Sequence, residues 1–263
     1  GWQAIYHCGF YHDLHFAFGL PVTHGTDKVD DNRLREDETT RIYTQYIHNE
    51  KTLKMQDALV QLYAKSMLKR KPLKVKPPFS TAKFINELGK EILRDDFGYV
   101  KDREGSFFLT AARYDVPVFL DSGSNHSLAM DLAALSLEGL TVDTSPSRDI
   151  IEAAALSLHT QPQTNIFFGE GGPRNFTQTT APTAIEIMYL KGFEGSDSCV
   201  RFTVADTRAG AEGHDHGHGL VGPALRPAGH RGQGTEDGAD DERLHGGPPG
   251  GNDANLGLVA RQA

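Results

Sequence analysis

No stretch of this 263-residue sequence keeps an apolar run near the ~20 residues that a bilayer span requires. Positive charge is short as well. The 27 Lys and Arg face 35 Asp and Glu, a net charge of −8, which argues against a nucleic-acid binder held by phosphate contacts. Cysteine is scarce. Cys8 and Cys199 cannot build a disulfide framework or a four-cysteine zinc site. Gly1-Trp2-Gln3-Ala4 shows no basic stretch leading into an apolar core, so no secretory signal is read there. A soluble, cytoplasmic protein with no nucleic-acid or membrane partner is the expectation. Hydrophobic residues at 38% and charged residues at 24% match a globular chain of one or two domains.

The composition shifts along the chain. Aromatic residues stop at Phe202 and lysines at Lys191. The stretch after that holds half of the 28 glycines and five of the 12 histidines, among them His214, His216 and His218. Such a segment buries too little apolar surface to offset its chain entropy. The expected organisation is an α/β domain over 1–203 and a disordered Gly/His/Pro-rich tail over 204–263.

Within the first part, helices and strands alternate. Met55, Leu59, Leu62, Tyr63 and Met67 follow helical spacing. Ser80 is a helix N-cap ahead of Phe84, Ile85, Leu88 and Ile92. Tyr114 to Leu120 reads as a strand and His126 to Leu137 as a helix. Ser145-Pro146 opens another helix, because proline at the first helical position loses no needed N–H. Asn165 to Phe168 reads as a buried strand that breaks at Gly169-Glu170-Gly171-Gly172-Pro173, with a helix at Thr183 to Leu190. This alternation predicts a Rossmann-like, largely parallel sheet flanked by helices.

Several polar clusters carry two readings each. The glycine turn after Phe168 is a ligand loop at a strand's carboxyl end, or a plain turn. Gly195-Ser196-Asp197-Ser198 holds a ligand amine through Asp197, or is a surface turn. Asp121, Asp131 and Asp143 suit a cationic substrate, or are solvated and capping residues. His7, His12, Asp13 and His15 lie close together. His12 and Asp13 suit polarisation of a substrate, whereas the spacing fits no standard zinc pattern. Asp30 to Glu38 reads as a solvated charged face.

Six blocks in order resemble the deoxyhypusine synthase family, including its bacterial deoxyhypusine-synthase-like branch. They are His12-Asp13-Leu14-His15-Phe16-Ala17, Leu34-Arg35-Glu36 with Arg41-Ile42-Tyr43, Leu88-Gly89-Lys90-Glu91-Ile92, Asp115-Val116-Pro117-Val118-Phe119, the loop Gly169 to Asn175, and Phe193-Glu194-Gly195-Ser196-Asp197-Ser198. The resemblance implies a transferase that oxidises spermidine with NAD and passes the aminobutyl group through an enzyme-lysine imine. The acceptor it implies is a lysine of the hypusine-containing translation factor, and the assembly a homotetramer.

The resemblance also implies site residues. Asp131, Asp197, Asn175 and Asp13 would contact substrate, and Gly169, Gly171 and Asn125 the cofactor. Glu170 departs from the family's middle glycine and would crowd an anionic NAD. Asn125 stands where the family usually has aspartate. Asn175 stands where eukaryotic members have a catalytic histidine, and the bacterial-like branch also has Asn. The cofactor turn around Ile5 to Gly9 is poorly reproduced, and the family's preceding strand and helix are missing. The family's Trp-Gly-Lys block, source of the imine-forming lysine, has no counterpart after Lys191. Read one nucleotide out of frame, His216 to Leu220 can give Met-Ala-Met-Ala-Trp, so the tail has a frameshift reading. The expectation is therefore a chain without a catalytic lysine, inactive as written. A homospermidine-synthase-like activity and a non-catalytic family fragment are the alternatives.

Overall fold

The computed structural model describes residues 4–7, 10–42, 44–70, 79–121, 124, 126–160, 162–168, 171–190 and 195–202. The expected tail, Gly169, Asn125 and Lys191 lie outside them. The chain divides into two compact units, with the boundary between Asp149 and Ile150.

In the first unit β1 (Ile5–His7) leads through a 3-10 turn (Phe10–Asp13) to α1 (Leu14–Ala17). Then come β2 (Thr23–His24), α2 (Asp31–Glu36), β3 (Thr39–Ile42) and β4 (Gln45–His48). The remaining elements are a π-type turn (Asn49–Lys54), α3 (Met55–Arg70), α4 (Thr81–Arg94), α5 (Phe107–Arg113), β5 (Val118–Leu120), α6 (Ser127–Leu137) and the start of α7 (Pro146–His159).

The core follows the sequence periodicity. Val60, Tyr63 and Met67 of α3 and Phe84, Ile85, Leu88 and Ile92 of α4 are all buried in one cluster with Leu109, Val118 and Leu128. Ser80 caps α4 as expected, its side chain accepting from Lys83 N–H at 3.2 Å. The carboxylate of Asp149 reaches back to accept from Thr81 N–H at 2.8 Å, fixing the same helix end to the first turn of α7. At its other end α4 stops on Asp95, in the left-handed region at φ 49°.

Gly89 sets how closely α4 and α5 approach. A Cβ there would stand 2.5 Å from Ala112 Cβ. Gly89→Ala is expected to lose about 1–2 kcal/mol by urea denaturation, because overpacking outweighs the roughly 1 kcal/mol gain in helix propensity.

The strands differ from the expectation of one largely parallel sheet. β1 pairs β5 in parallel with Ile5 opposite Val118. β6 (Thr164–Phe168) pairs β7 (Ser198–Phe202) in parallel within the second unit. A third, antiparallel sheet in the order β2-β4-β3 was not anticipated. The run that reads as a charged face, Asp30 to Glu38, forms α2 and its flanks between β2 and β3; most of it is exposed, but Leu34 is buried. Among the described residues no pairing joins the two parallel pairs into a continuous sheet. The described fold is mixed α/β.

In the second unit the expected buried strand β6 has Ile166 59% exposed. A strand covered on one edge by a single partner leaves much of its surface to water, unlike the inner strands of a covered parallel sheet. The helix expected at Thr183 begins earlier, as α8 (Gly172–Pro182), with Pro173 in its first turn. Thr183–Ile187 continues it as a π-type turn. Ala181 and Ala184 pack with Leu158, Ile185 and Leu190.

Candidate functional site

The anomaly in the first unit is a carboxylic acid in an apolar stripe. Leu128 and Leu135 of α6 are buried, and Asp131 between them is only 3% exposed. α6 is set by His126, whose Nδ1 accepts from Ala129 N–H at 3.2 Å, and it follows β5. Asp131 thus sits on the helix after a parallel strand, the side of such units where ligands collect.

Two other elements meet it. The 3-10 turn after β1 presents Tyr11, whose hydroxyl lies 2.5 Å from Asp131 Oδ2 and 2.6 Å from Asp57 Oδ1. On α3, Gln61 Nε2 donates to Asp131 Oδ1 at 2.9 Å. Asp57 and Gln61 are four residues apart and so share one face of α3. Gln56 Nε2 donates to the Tyr11 carbonyl at 2.7 Å and fixes the turn to that helix. Lys65 of α3 and Glu138, the C-cap of α6, form an ion pair at 2.8 Å that ties the same two helices.

Burial pushes the Asp131 carboxyl up to about 6. The hydrogen bonds from Tyr11 and Gln61 oppose that rise, and the Asp57 charge adds to it. Burial, then the Asp131 and Asp57 charges, drive the Tyr11 phenol far above its ordinary value, so it stays protonated. None of the described partners of Asp131 is a cation.

His12 and His15 form a second cluster. His12 Nδ1 and His15 Nε2 are 3.0 Å apart, sharing one hydrogen. Burial, with His12 beside it, pulls His15 down to about 4, and burial lowers His12 too. Both rings are therefore neutral at physiological pH. Among the described residues no group of three or more His, Cys, Asp or Glu is placed to hold a metal ion.

Asp13, expected at the substrate, holds the start of a helix in this structure. Its carboxylate accepts from the Ser106 hydroxyl at 2.5 Å, from Phe108 N–H at 3.1 Å and from Phe107 N–H at 3.4 Å. It caps α5, because those N–H groups lack intrahelical partners.

The other expected contacts belong to the second unit. Asp197 is exposed, and its Oδ2 accepts from Gln163 N–H at 2.7 Å, closing the start of the β6–β7 pair. Asn165 Nδ2 donates to Ser196 Oγ at 3.1 Å in the same corner. Asn175 is exposed in the first turn of α8, its N–H bonded to the Gly171 carbonyl. Gly171 N-caps α8 at φ 92°, ψ −137°, a conformation that glycine alone adopts readily. Among the described residues nothing stands within 4 Å of where its side chain would be. Gly169 and Glu170, which join β6 to Gly171, lie outside the described residues.

Known proteins give the family. The family model described as deoxyhypusine synthase matches residues 7–214. The chain belongs to the deoxyhypusine synthase family. It is similar to the deoxyhypusine synthase-like protein of Nostoc sp. (strain PCC 7120), 30% identical over 208 residues, which covers 78% of this chain and 52% of that one. The corresponding protein of Nostoc punctiforme is 30% identical over 210 residues, 78% of this chain and 51% of its own. The deoxyhypusine synthase-like protein of Chlorobaculum tepidum is 30% identical over 202 residues, 76% and 53% of the two chains. The chain therefore spans about half the length of these curated relatives. The family match begins before Tyr11 and runs past Asp197, so it contains Asp57, Asp131 and Gly171 as well. No helix among the described residues is long and apolar enough to cross a membrane.

Proposed function

We propose that this deoxyhypusine synthase family chain is a polyamine-binding transferase that takes spermidine as an aminobutyl donor, with Asp131 receiving an ammonium group. The observation that carries the reading is the buried Asp131 carboxyl, held by Tyr11 and Gln61 with no cation among its described partners. A charge in a low-dielectric setting gains most from an opposite charge brought to it, and an alkylammonium supplies one.

Asp197 and Asn175 are assigned further substrate contacts, and Gly169, Gly171 and Asn125 the cofactor NAD. Gly171, at positive φ on the N-terminus of α8, supports its own place among the last of these. NAD, when bound, supplies a hydride acceptor. The chain's own residues bind and orient the amine and keep its carboxylate partner out of water. The acceptor in this reading is a lysine of the hypusine-containing translation factor, and the enzyme works as a cytoplasmic homo-oligomer. A second reading takes this chain as a non-catalytic member of the family: Glu170 stands where the family has glycine and would crowd an anionic NAD. In that reading the chain binds the polyamine without transferring it.

Calorimetry on the full chain tests both. Spermidine is expected to bind saturably, and Asp131→Asn to weaken it at least about 30-fold, the loss typical of removing one member of a buried charge pair. No binding by the unaltered protein would sink the proposal. Label from spermidine appearing in the translation factor supports transfer to protein, and label in putrescine supports a homospermidine-synthase-like acceptor. Binding with no label transfer and no borohydride-trapped adduct establishes the second reading.

A further inference from the structure

The Tyr11 hydroxyl is in contact with two carboxyl groups at once, at 2.6 Å to Asp57 and 2.5 Å to Asp131. A phenol carries one hydrogen and donates to one of them. Oxygens this close need a proton between them, so the second contact takes its proton from a carboxyl group. Three side chains therefore hold two protons and a single negative charge. The deeper carboxyl is the cheaper place for the extra proton, since desolvation penalises the ion most where burial is greatest. Asp131 is 3% exposed, whereas Asp57 is only half-buried. Gln61 occupies Asp131 Oδ1, which leaves Oδ2 facing the phenol.

We propose that Asp57, Tyr11 and Asp131 act as one proton-sharing unit in which Tyr11 is the positioning residue, tying the charge of Asp131 to that of Asp57, so that docking of an alkylammonium at Asp131 expels one proton. The sharing stands on the three oxygens alone. Its link to amine docking rests on the function proposed above. The balance is simple. A unit of charge −1 loses one proton and becomes −2, and the arriving ammonium restores −1. The proton leaves to water past Asp57, and no bond to carbon changes. The titratable groups that act on Asp131 among the described residues are Tyr11 from the 3-10 turn and Asp57 from α3. The nearest charges along the same helices, Lys65 and Glu138, are paired with each other, as are His12 and His15.

Carbon-13 NMR of labelled aspartate in the full chain tests the sharing. The Asp131 carboxyl is expected to titrate in two steps, with the later one near about 6. Tyr11→Phe removes a donor to Asp131 and is expected to move the later midpoint up. Asp57→Asn removes a like charge and frees Tyr11 to donate to Asp131, and is expected to move it down. Two near-isosteric changes with opposite effects are not what a packing role produces. If Tyr11→Phe does not fold, Asp57→Asn carries the test by itself. A single-step titration of Asp131, or a midpoint that does not fall in Asp57→Asn, would overturn the proposal. Spermidine calorimetry in two buffers of different ionisation heat is then expected to show about one proton released at about pH 5 and almost none at about pH 8. Binding without proton release at the lower pH overturns the linkage. Coupled titration with no spermidine binding at any pH upholds the shared proton and defeats the amine reading instead.

Discussion

At pH 8 the Asp131→Asn protein is expected to be more stable than the unaltered chain by about 3 kcal/mol, and at pH 4 the two are expected to be nearly equal. The ordinary value for Asp is 3.8, and burial holds Asp131 up to about 6 in the folded protein. Between those values the folded chain keeps a proton that the unfolded chain has lost. Stability from this group is thus complete below about pH 4 and drains away as pH rises through about 6. Above that, a gap of about two pH units is worth about 3 kcal/mol. Asparagine has no proton to lose. Its amide also reproduces the protonated acid's bonding, accepting from Gln61 and donating to the Tyr11 oxygen. Urea denaturation at the two pH values measures the difference. An equal effect at both would mean that Asp131 ionises normally.

His15 sharpens the result. Its folded value near about 4 lies below the ordinary 6.5 for histidine, so it costs stability as pH falls between them. Over that interval Asp131 and His15 slope in opposite directions and partly cancel in the unaltered protein. In Asp131→Asn the histidine slope is uncovered, and the acid-side loss becomes steeper.

The second large effect has the opposite sign. Asp13→Ala is expected to destabilise the protein by about 3 kcal/mol at neutral pH. It strips the fully buried Ser106 hydroxyl and two N–H groups at the start of α5 of their common acceptor. Asp13→Asn keeps an acceptor and is expected to lose about half as much. A substrate contact would behave otherwise: stability would hold and spermidine affinity would fall. Urea denaturation and calorimetry of the two variants separate these outcomes.

What the sequence disclosed about the fold depended on how local the cause was. α4 is legible because Ser80 and the Phe84, Ile85, Leu88, Ile92 stripe lie within one helix. The start of α7 is legible for the same reason, in Ser145-Pro146. The β2-β4-β3 sheet is not. Its strands are two to four residues long, mostly half-exposed, and carry Thr, Arg and Gln rather than an alternating apolar face. Their order comes from pairing with each other, which no single segment announces. β6 was misread because four apolar or amide residues in a row look alike whether a sheet covers them or not.

The site divides the same way. Asp131 stands where a leucine would continue the buried face of α6, and that misfit is visible in the sequence once the helix is drawn. Tyr11, Asp57 and Gln61 are not visible, since Tyr11 lies 120 residues and Gln61 70 residues from Asp131. The capping role of Asp13 is not visible either, since its partners, Ser106 to Phe108, lie over ninety residues away.

The pairing of β1 with β5 also orders events during synthesis. Ile5 is made about 110 residues before its partner Val118. At about 5–20 residues per second, β1 waits roughly 6–20 s for a strand to bond with. The Tyr11 turn that follows it waits slightly longer, because α6 must emerge after β5. The helical pair α3 and α4 needs no such delay and is complete by Arg94. A nascent chain halted before Val118 should therefore carry a formed helical core with an unsatisfied first strand, the state in which a ribosome-bound chaperone would find its target.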